Sequence, residues 1–518
     1  MYQFGHYLIR NASMYPDRLA FSCYGKEYTW CELNRETNRV ANSLKALGVR
    51  RGDRVAYMFR NCTETVLCFL ATQKIGATAV AINTHFLAGE ISRIMDVTDC
   101  KVVLFDADFS KTIHDAAQLY GKLQLVITTG EPAPGERRFS ELLTGSAEEA
   151  QVDLNEDDES VIILTSGTTG TSKAAVRTQK MMREYGQMLA IENDNSHRPE
   201  VALTHCPFFH TACLSILVKM LALCGTFVLV NKVNPDFIFE QIQTYHVTQM
   251  LVVPPLIYMR LYDSGLWRQY DVASLREAQF TGGKCSEDYV RKICEMFPNA
   301  SLRASYGSTE TCAPCSMVIS QEELLAHPER ITSVGHINAN CELRIVDRQM
   351  RDVPVCEVGE ALVRSPMLFR GYLKNDELNQ RVFSDGWFHT EDLMRRDANG
   401  YYYLVDRVKD MIKTGGENVY AQEVEDILRN HPAISDCAVI GVPDVRFEEA
   451  VAAAIVLKAG MTLSDEELVR YCRETLPSYK KPRYVAYMDE VPHNVTGKVQ
   501  KSILREHPEQ FRPIAGLN

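Results

Sequence analysis

Apolar and polar positions alternate along this chain in two periods. Residues 29–47 carry apolar side chains at helical spacing and stop at Gly48, and 54–58 is a short apolar run. Residues 64–76 are helical in pattern again, and 78–82 is a second apolar run. This βαβ rhythm predicts an α/β fold: a large N-terminal region of several subdomains with parallel-rich sheets. Further strands are expected at 101–105, 124–128, 160–164 and 250–253. The most hydrophobic stretch, 211–230, is interrupted by Lys219 and broken by Gly225, so it reads as a buried helix and a strand, with no membrane span. Residues 131–150, rich in Pro, Gly and Glu, read as a surface connector, and the acidic run 155–159 as a solvated loop. After Asp406 a compact α+β pattern follows: helix 421–430, strands 436–441 and 451–457, helix 464–475, strand 484–488. The expected domains are 1–405 and 406–518.

Composition narrows the function classes. With 518 residues and 46% hydrophobic content the chain can bury large cores. A formal net charge of −11 argues against nucleic acid as a partner, because neutralising phosphates needs a basic face. The 16 cysteines are scattered singly, as in reduced cytoplasmic proteins. Cys312 and Cys315 have metal-like spacing but lack a second ligand pair. Residues 1–20 have no apolar signal core, and Gly516-Leu517-Asn518 is neither a peroxisomal nor a prenylation signal. A homodimer is the default assembly.

The run at 160–164 leads into Thr165-Ser166-Gly167-Thr168-Thr169-Gly170-Thr171-Ser172-Lys173. Glycines let backbone approach a ligand, while hydroxyls, amides and the lysine suit phosphate oxygens. A surface turn has the same composition. It is not a Walker A loop, since Ser172 stands where that loop needs glycine.

The loop resembles the signature of the adenylate-forming superfamily of acyl- and aryl-CoA synthetases, peptide-synthetase adenylation domains and luciferases. Further motifs follow in family order: Pro207-Phe208-Phe209-His210, Tyr306-Gly307-Ser308-Thr309-Glu310, Gly371-Tyr372, His389-Thr390-Glu391-Asp392, Asp406-Arg407, Lys413 to Asn418, and Asn494 to Lys498. The chain departs from the family at Ser172 and Ala174, usually proline and glycine, and at Glu391, usually glycine.

The resemblance implies activation of a carboxylic acid by ATP and Mg2+ to an acyl-adenylate, then transfer to a thiol, coenzyme A above all. Glu310 is implied as the magnesium ligand, Thr309 as a hydrogen-bond donor to the α-phosphate, and Tyr306 as the adenine contact. From the residues alone, Glu310 and Thr309 read equally as a helix start and Tyr306 as core. Gly282, Gly283, Ser305 and Gly307 join the implied nucleotide set. Asp392 and Arg407 would hold the ribose, and a turn is the other reading of Asp392. Lys498 would stabilise the crowded negative charge between carboxylate and α-phosphate. His210 would close the carboxylate site, and core packing is its alternative. The family's mobile C-terminal domain implies a hinge at Asp406, with Lys413, Gly415 and Gly416 facing the cofactor in the thiol-transfer pose.

The acid pocket is expected around 210–215, 281–284 and 306–317. Ala212, Cys213 and Ala313 are small or apolar there and favour a modest apolar or aryl acid. Lys284 is the odd residue, suited to an anionic group on the acid or to an outward position. A separate carrier protein or another nucleophile remains open as acceptor, as does a non-catalytic nucleotide-binding descendant.

Overall fold

The computed structural model of the protein describes residues 4–150, 152–165, 172–193, 199–254, 256–280, 287–493 and 499–515. Contacts divide the chain into two units. Met1–Ile331, Gly335–Glu342 and Val363–Phe388 form one; Thr332–Val334, Leu343–Leu362 and His389–Asn518 form the other.

In the first unit the apolar runs become neighbouring parallel strands. Arg54–Met58 lies between Thr78–Ala81 and Val102–Phe105, both buried at every position, as strands covered on both faces must be. Glu159–Thr165 continues this sheet beside Thr78–Ala81, and Lys173–Thr178 and Gly371–Tyr372 extend it antiparallel. The connecting helix Thr63–Ile75 is buried in 12 of 13 residues, which its unpatterned apolar sequence requires.

A second, nine-stranded sheet of this unit runs His336–Ile337, Cys312–Ile319, Ser301–Ser308, Glu277–Phe280, Gln249–Val252, Val201–Thr204, Thr226–Leu229, Leu19–Cys23 and Lys26–Thr29. Its middle is parallel and its ends are antiparallel. The 211–230 stretch is helix Thr211–Leu223 and strand Thr226–Leu229. Among the described residues no helix is long and apolar enough to cross a membrane. Lys219 is tolerated in that helix because its Nζ meets Gln249 Oε1 at 2.6 Å and Glu277 Oε1 at 3.5 Å.

Two stretches are more integrated than their composition predicts. Within 131–150, Phe139 and Leu142 are buried and Glu149 takes the Lys74 ammonium at 2.6 Å. The acidic run is paired, Asp158 with Arg51 at 2.7 Å and Glu159 with Arg54 at 3.0 Å.

In the second unit, strand Glu448–Leu457 is the spine of a six-stranded sheet, flanked by Ile434–Asp444 and Tyr484–Tyr487. Val451, Ala453 and Ile455 point into one apolar cluster and Ala450, Ala452 and Ala454 into another, so alternation packs both faces. Helices Ala421–Arg429 and Asp465–Thr475 appear where the apolar spacing predicts them.

Candidate active site

Thr309 and Glu310 sit at the tip of a hairpin between Ser301–Ser308 and Cys312–Ile319, so neither starts a helix. Only glycine fits at 307, since a Cβ there would lie 1.7 Å from the Cys312 carbonyl oxygen. The turn is closed by its own side chains: Ser308 Oγ accepts from the amides of Glu310 and Thr311 at 3.2 Å, and Thr311 Oγ1 accepts from Ser308 N at 3.1 Å. Tyr306, one residue before the tight glycine, is buried, and Ser305 precedes it on the same strand.

Two neighbouring segments grip this tip. Phe369 N donates to the Glu310 carbonyl at 2.9 Å, and the Tyr372 hydroxyl donates to Glu310 Oε1 at 2.7 Å. The Arg177 guanidinium donates to the Thr309 carbonyl. Tyr372 is itself fixed by Asn379, which accepts from its amide and donates to its carbonyl, both at 2.8 Å. Lys173, opposite Thr165 in register, holds its ammonium 5.1 Å from the Tyr372 ring centroid. The structure thus gathers Lys173, Thr309 and Glu310 through Tyr372.

His210 occupies the N-cap position of helix Thr211–Leu223 and packs 4.7 Å from the Phe209 ring. Burial pushes its pKa down to about 4, so the imidazole is neutral near pH 7, and its Nε2 is buried with no partner among the described residues. Thr211 Oγ1 donates to Thr309 Oγ1 at 3.4 Å, which brings the helix start to the hairpin tip. Ala212 and Ala313 pack at the edge of the same core, and Cys213 lies inside it.

The second unit carries a separate constellation. Residues 392–396 pair antiparallel with Tyr402–Arg407, Asp392 opposite Arg407, and Arg407 Nε donates to Asp392 Oδ1 at 2.8 Å. Glu391 has φ +57°, a conformation that favours glycine and accounts for the usual residue there. The buried Asp406 carboxylate accepts from the amides of Arg407 at 2.8 Å and Gln422 at 3.2 Å, tying it to the start of helix Ala421–Arg429. Burial raises the Asp406 pKa, against the pull of Lys501. Gly415 and Gly416, with φ +58° and +86°, make the two-residue turn between Ile412–Thr414 and Glu417–Val419. Lys413, exposed on that hairpin, donates its amide to Glu449 at 2.8 Å.

Ser166, Gly167, Thr168, Thr169, Gly170, Gly282, Gly283, Lys284 and Lys498 lie outside the described residues. Two residues of the first unit escape a motif reading: Tyr372, which the glycine-tyrosine pair contains without a role, and Arg177. The signal for Arg177 was its place four residues after Lys173 in an otherwise apolar strand, on the same face.

A magnesium ion fits this donor set. Glu310 has a second carboxylate oxygen beyond the one held by Tyr372, and hard cations bound through phosphates use one or two carboxylates. Among the described residues there is no cluster of three or more His, Cys, Asp or Glu side chains of the kind an all-protein metal cage needs.

Comparison with known proteins identifies the family. The profile described as "AMP-binding enzyme" matches residues 8–373, and that of the "AMP-binding enzyme C-terminal domain" matches 423–498. A feruloyl-CoA synthase of Amycolatopsis sp. is 32% identical over 502 residues, covering 97% of this chain and 98% of the relative. A crotonobetaine/carnitine–CoA ligase of Escherichia coli O17:K52:H18 is 33% identical over 518 residues, covering 95% and 97%. The crystal structure of an anthranilate CoA ligase in complex with anthranoyl-AMP aligns with a TM-score of 0.88 at 26% identity, covering 98% and 97%. The chain therefore belongs to the AMP-binding enzyme family and is an AMP-forming acid–thiol ligase of the acyl-CoA synthetase type.

Proposed function

We propose that this ligase adenylates a modest apolar or aryl carboxylic acid and passes the acyl group to coenzyme A. The observation that carries the reading is the hairpin tip: Glu310 and Thr309 held beside Lys173, with a neutral His210 helix start against Thr309. The aryl acids named for two of the similar proteins support the substrate class, as do Ala212 and Ala313 at the edge of the core; Cys213 is inside it.

A carboxylate is a poor electrophile, and its attack on ATP brings two anions together. In this reading Lys173 and the loop 165–170 bind phosphate oxygens, and the Thr309 hydroxyl donates to the α-phosphate. Glu310 holds Mg2+, which when bound supplies charge neutralisation on the phosphates. Tyr306, with Ser305, Gly307, Gly282 and Gly283, lines the adenine. Asp392 takes the ribose hydroxyls, with Arg407 holding its carboxylate. His210, kept neutral by burial, adds no charge to the acid site and closes it against water. Lys498 bridges carboxylate and α-phosphate as charge builds. Residues 406–518 then turn about Asp406 to bring Lys413, Gly415 and Gly416 to the thiol. A cytoplasmic location fits these substrates and the cysteines, all unpaired among the described residues.

Acid-dependent ATP–pyrophosphate exchange over a panel of acids, followed by coenzyme A, tests the reading. Exchange with aryl acids and thioester formation are expected. Exchange confined to strongly charged acids, or adenylate that coenzyme A does not discharge, would overturn it. Lys498→Ala should abolish most exchange while leaving thioester formation from preformed adenylate nearly intact.

A further inference from the structure

A buried arginine and a tyrosine hydroxyl converge on Thr309 and Glu310 from two paired segments. Gly371 pairs with Val176 and Tyr372 with Ala175, so Tyr372 and the Lys173–Thr178 strand are neighbours in one sheet. Alternation puts Lys173 and Arg177 on the same face of that strand. Arg177 is 0% exposed. Its guanidinium meets the Thr309 carbonyl, lies 5.8 Å from the Tyr185 ring and offsets the burial that raises the Cys312 thiol. Among the described residues its Nε and Nη1 have no hydrogen-bond partner and it forms no ion pair. A cation kept out of water on neutral partners is costly, and better packing by an apolar residue would remove that cost.

We propose that Arg177 and Tyr372 are positioning residues that clamp the Thr309–Glu310 turn for metal-dependent adenylation. Arg177 fixes the carbonyl of Thr309 and so the direction of the peptide that carries Glu310. Tyr372 occupies one oxygen of the Glu310 carboxylate and turns the other to the metal. Hydrogen bonds of this kind to a ligating carboxylate orient it and tune its affinity. The inference rests on Glu310 being the metal ligand, and its test separates the two ideas.

Tyr372→Phe deletes one hydroxyl and keeps the ring beneath Lys173. Mn2+ binding is titrated by electron paramagnetic resonance on the enzyme with α,β-methylene-ATP, which cannot release pyrophosphate. The expected result is Mn2+ affinity weakened about 10-fold. In exchange assays the Mg2+ needed for half-maximal rate rises by a similar factor, with the KM for acid unchanged and kcat recovered at saturating Mg2+. Arg177→Met should lower kcat at saturating Mg2+ with thermal stability near wild type, and Arg177→Lys should restore part of it. Glu310→Gln is the control. If it binds Mn2+ as wild type does, the metal reading fails and the clamp with it. If it weakens Mn2+ binding while Tyr372→Phe does not, the clamp alone is overturned. Should Arg177→Met not fold, the Tyr372→Phe titration decides.

Discussion

Lys219 and Arg177 are both shut away from water, at 3% and 0% exposure, yet only Lys219 meets a carboxylate. Lys219 and Arg303 flank Glu277, at 3.5 and 3.0 Å, and Gln249 and Gln279 bond into the same group. Arg177 has a carbonyl, an aromatic face and a thiol. A buried charge paired with an opposite charge can be removed only as a set, because deleting one member strands the others. A buried charge with neutral partners carries its cost in the folded state from the start. The first arrangement belongs to the framework between helix Thr211–Leu223 and its sheet; the second lies behind the hairpin tip that carries Glu310.

The sharpest way to break this comparison is Glu277→Gln. It removes the carboxylate that Lys219 and Arg303 both meet, leaving among the described residues only Glu200, held through Gln249, as counter-charge, and should cost about 3–5 kcal/mol in urea unfolding. A loss under about 1 kcal/mol would mean that the cluster is no more than a polar patch.

The same cluster predicts a pH dependence. Burial alone would raise the Glu277 pKa, but Lys219 and Arg303 outweigh it and hold the carboxyl at about 2, below its ordinary 4.5. A depressed carboxyl pKa contributes stability that is full above 4.5 and lost as pH falls towards 2. Wild-type stability should therefore fall over that window, and Glu277→Gln should flatten that part of the curve. Lys219 is pushed the other way from its partner's gain: burial lowers it to about 8 even with Glu277 beside it.

Arg177→Met is the mirror experiment. Losing the unpaired charge favours folding and losing the Thr309 hydrogen bond opposes it, so the net change should stay within about 1 kcal/mol. If instead it unfolds the protein as Glu277→Gln does, the two regions use buried charge alike.

Part of this was legible in the chain and part was not. The helix at 29–47, the strands at 54–58 and 78–82 and the C-terminal α+β pattern follow from apolar periodicity, which is a local property. Of the motif residues, the structure brings Lys173, Thr309 and Glu310 together around Tyr372 in one unit and sets Asp392 against Arg407 in the other. The hairpin around Thr309 was hidden, because its turn depends on Cys312 at φ +61°, and cysteine is no turn signal. Arg177 was passed over because its partners, Thr309, Tyr185 and Cys312, are neutral and distant in sequence. Lys219 read as an interruption because its partners lie on strands 30 and 58 residues away.

Glu391 carries the comparison to a cost that is not electrostatic. Its backbone sits at φ +57°, where an L side chain crowds the following carbonyl. Its carbonyl accepts from Val408 N at 2.9 Å, so the conformation is held by the strand pair that also aligns Asp392 with Arg407. Glu391→Gly removes the crowding but adds unfolded-state entropy, and the two effects are of similar size. The expected change in urea midpoint corresponds to less than about 1 kcal/mol. Glu391→Val keeps the crowding and adds a branched Cβ, and should lose about 1–2 kcal/mol. If valine and glycine behave alike, the strand pair does not hold residue 391 in the left-handed region, and the usual glycine there has a cause other than backbone shape.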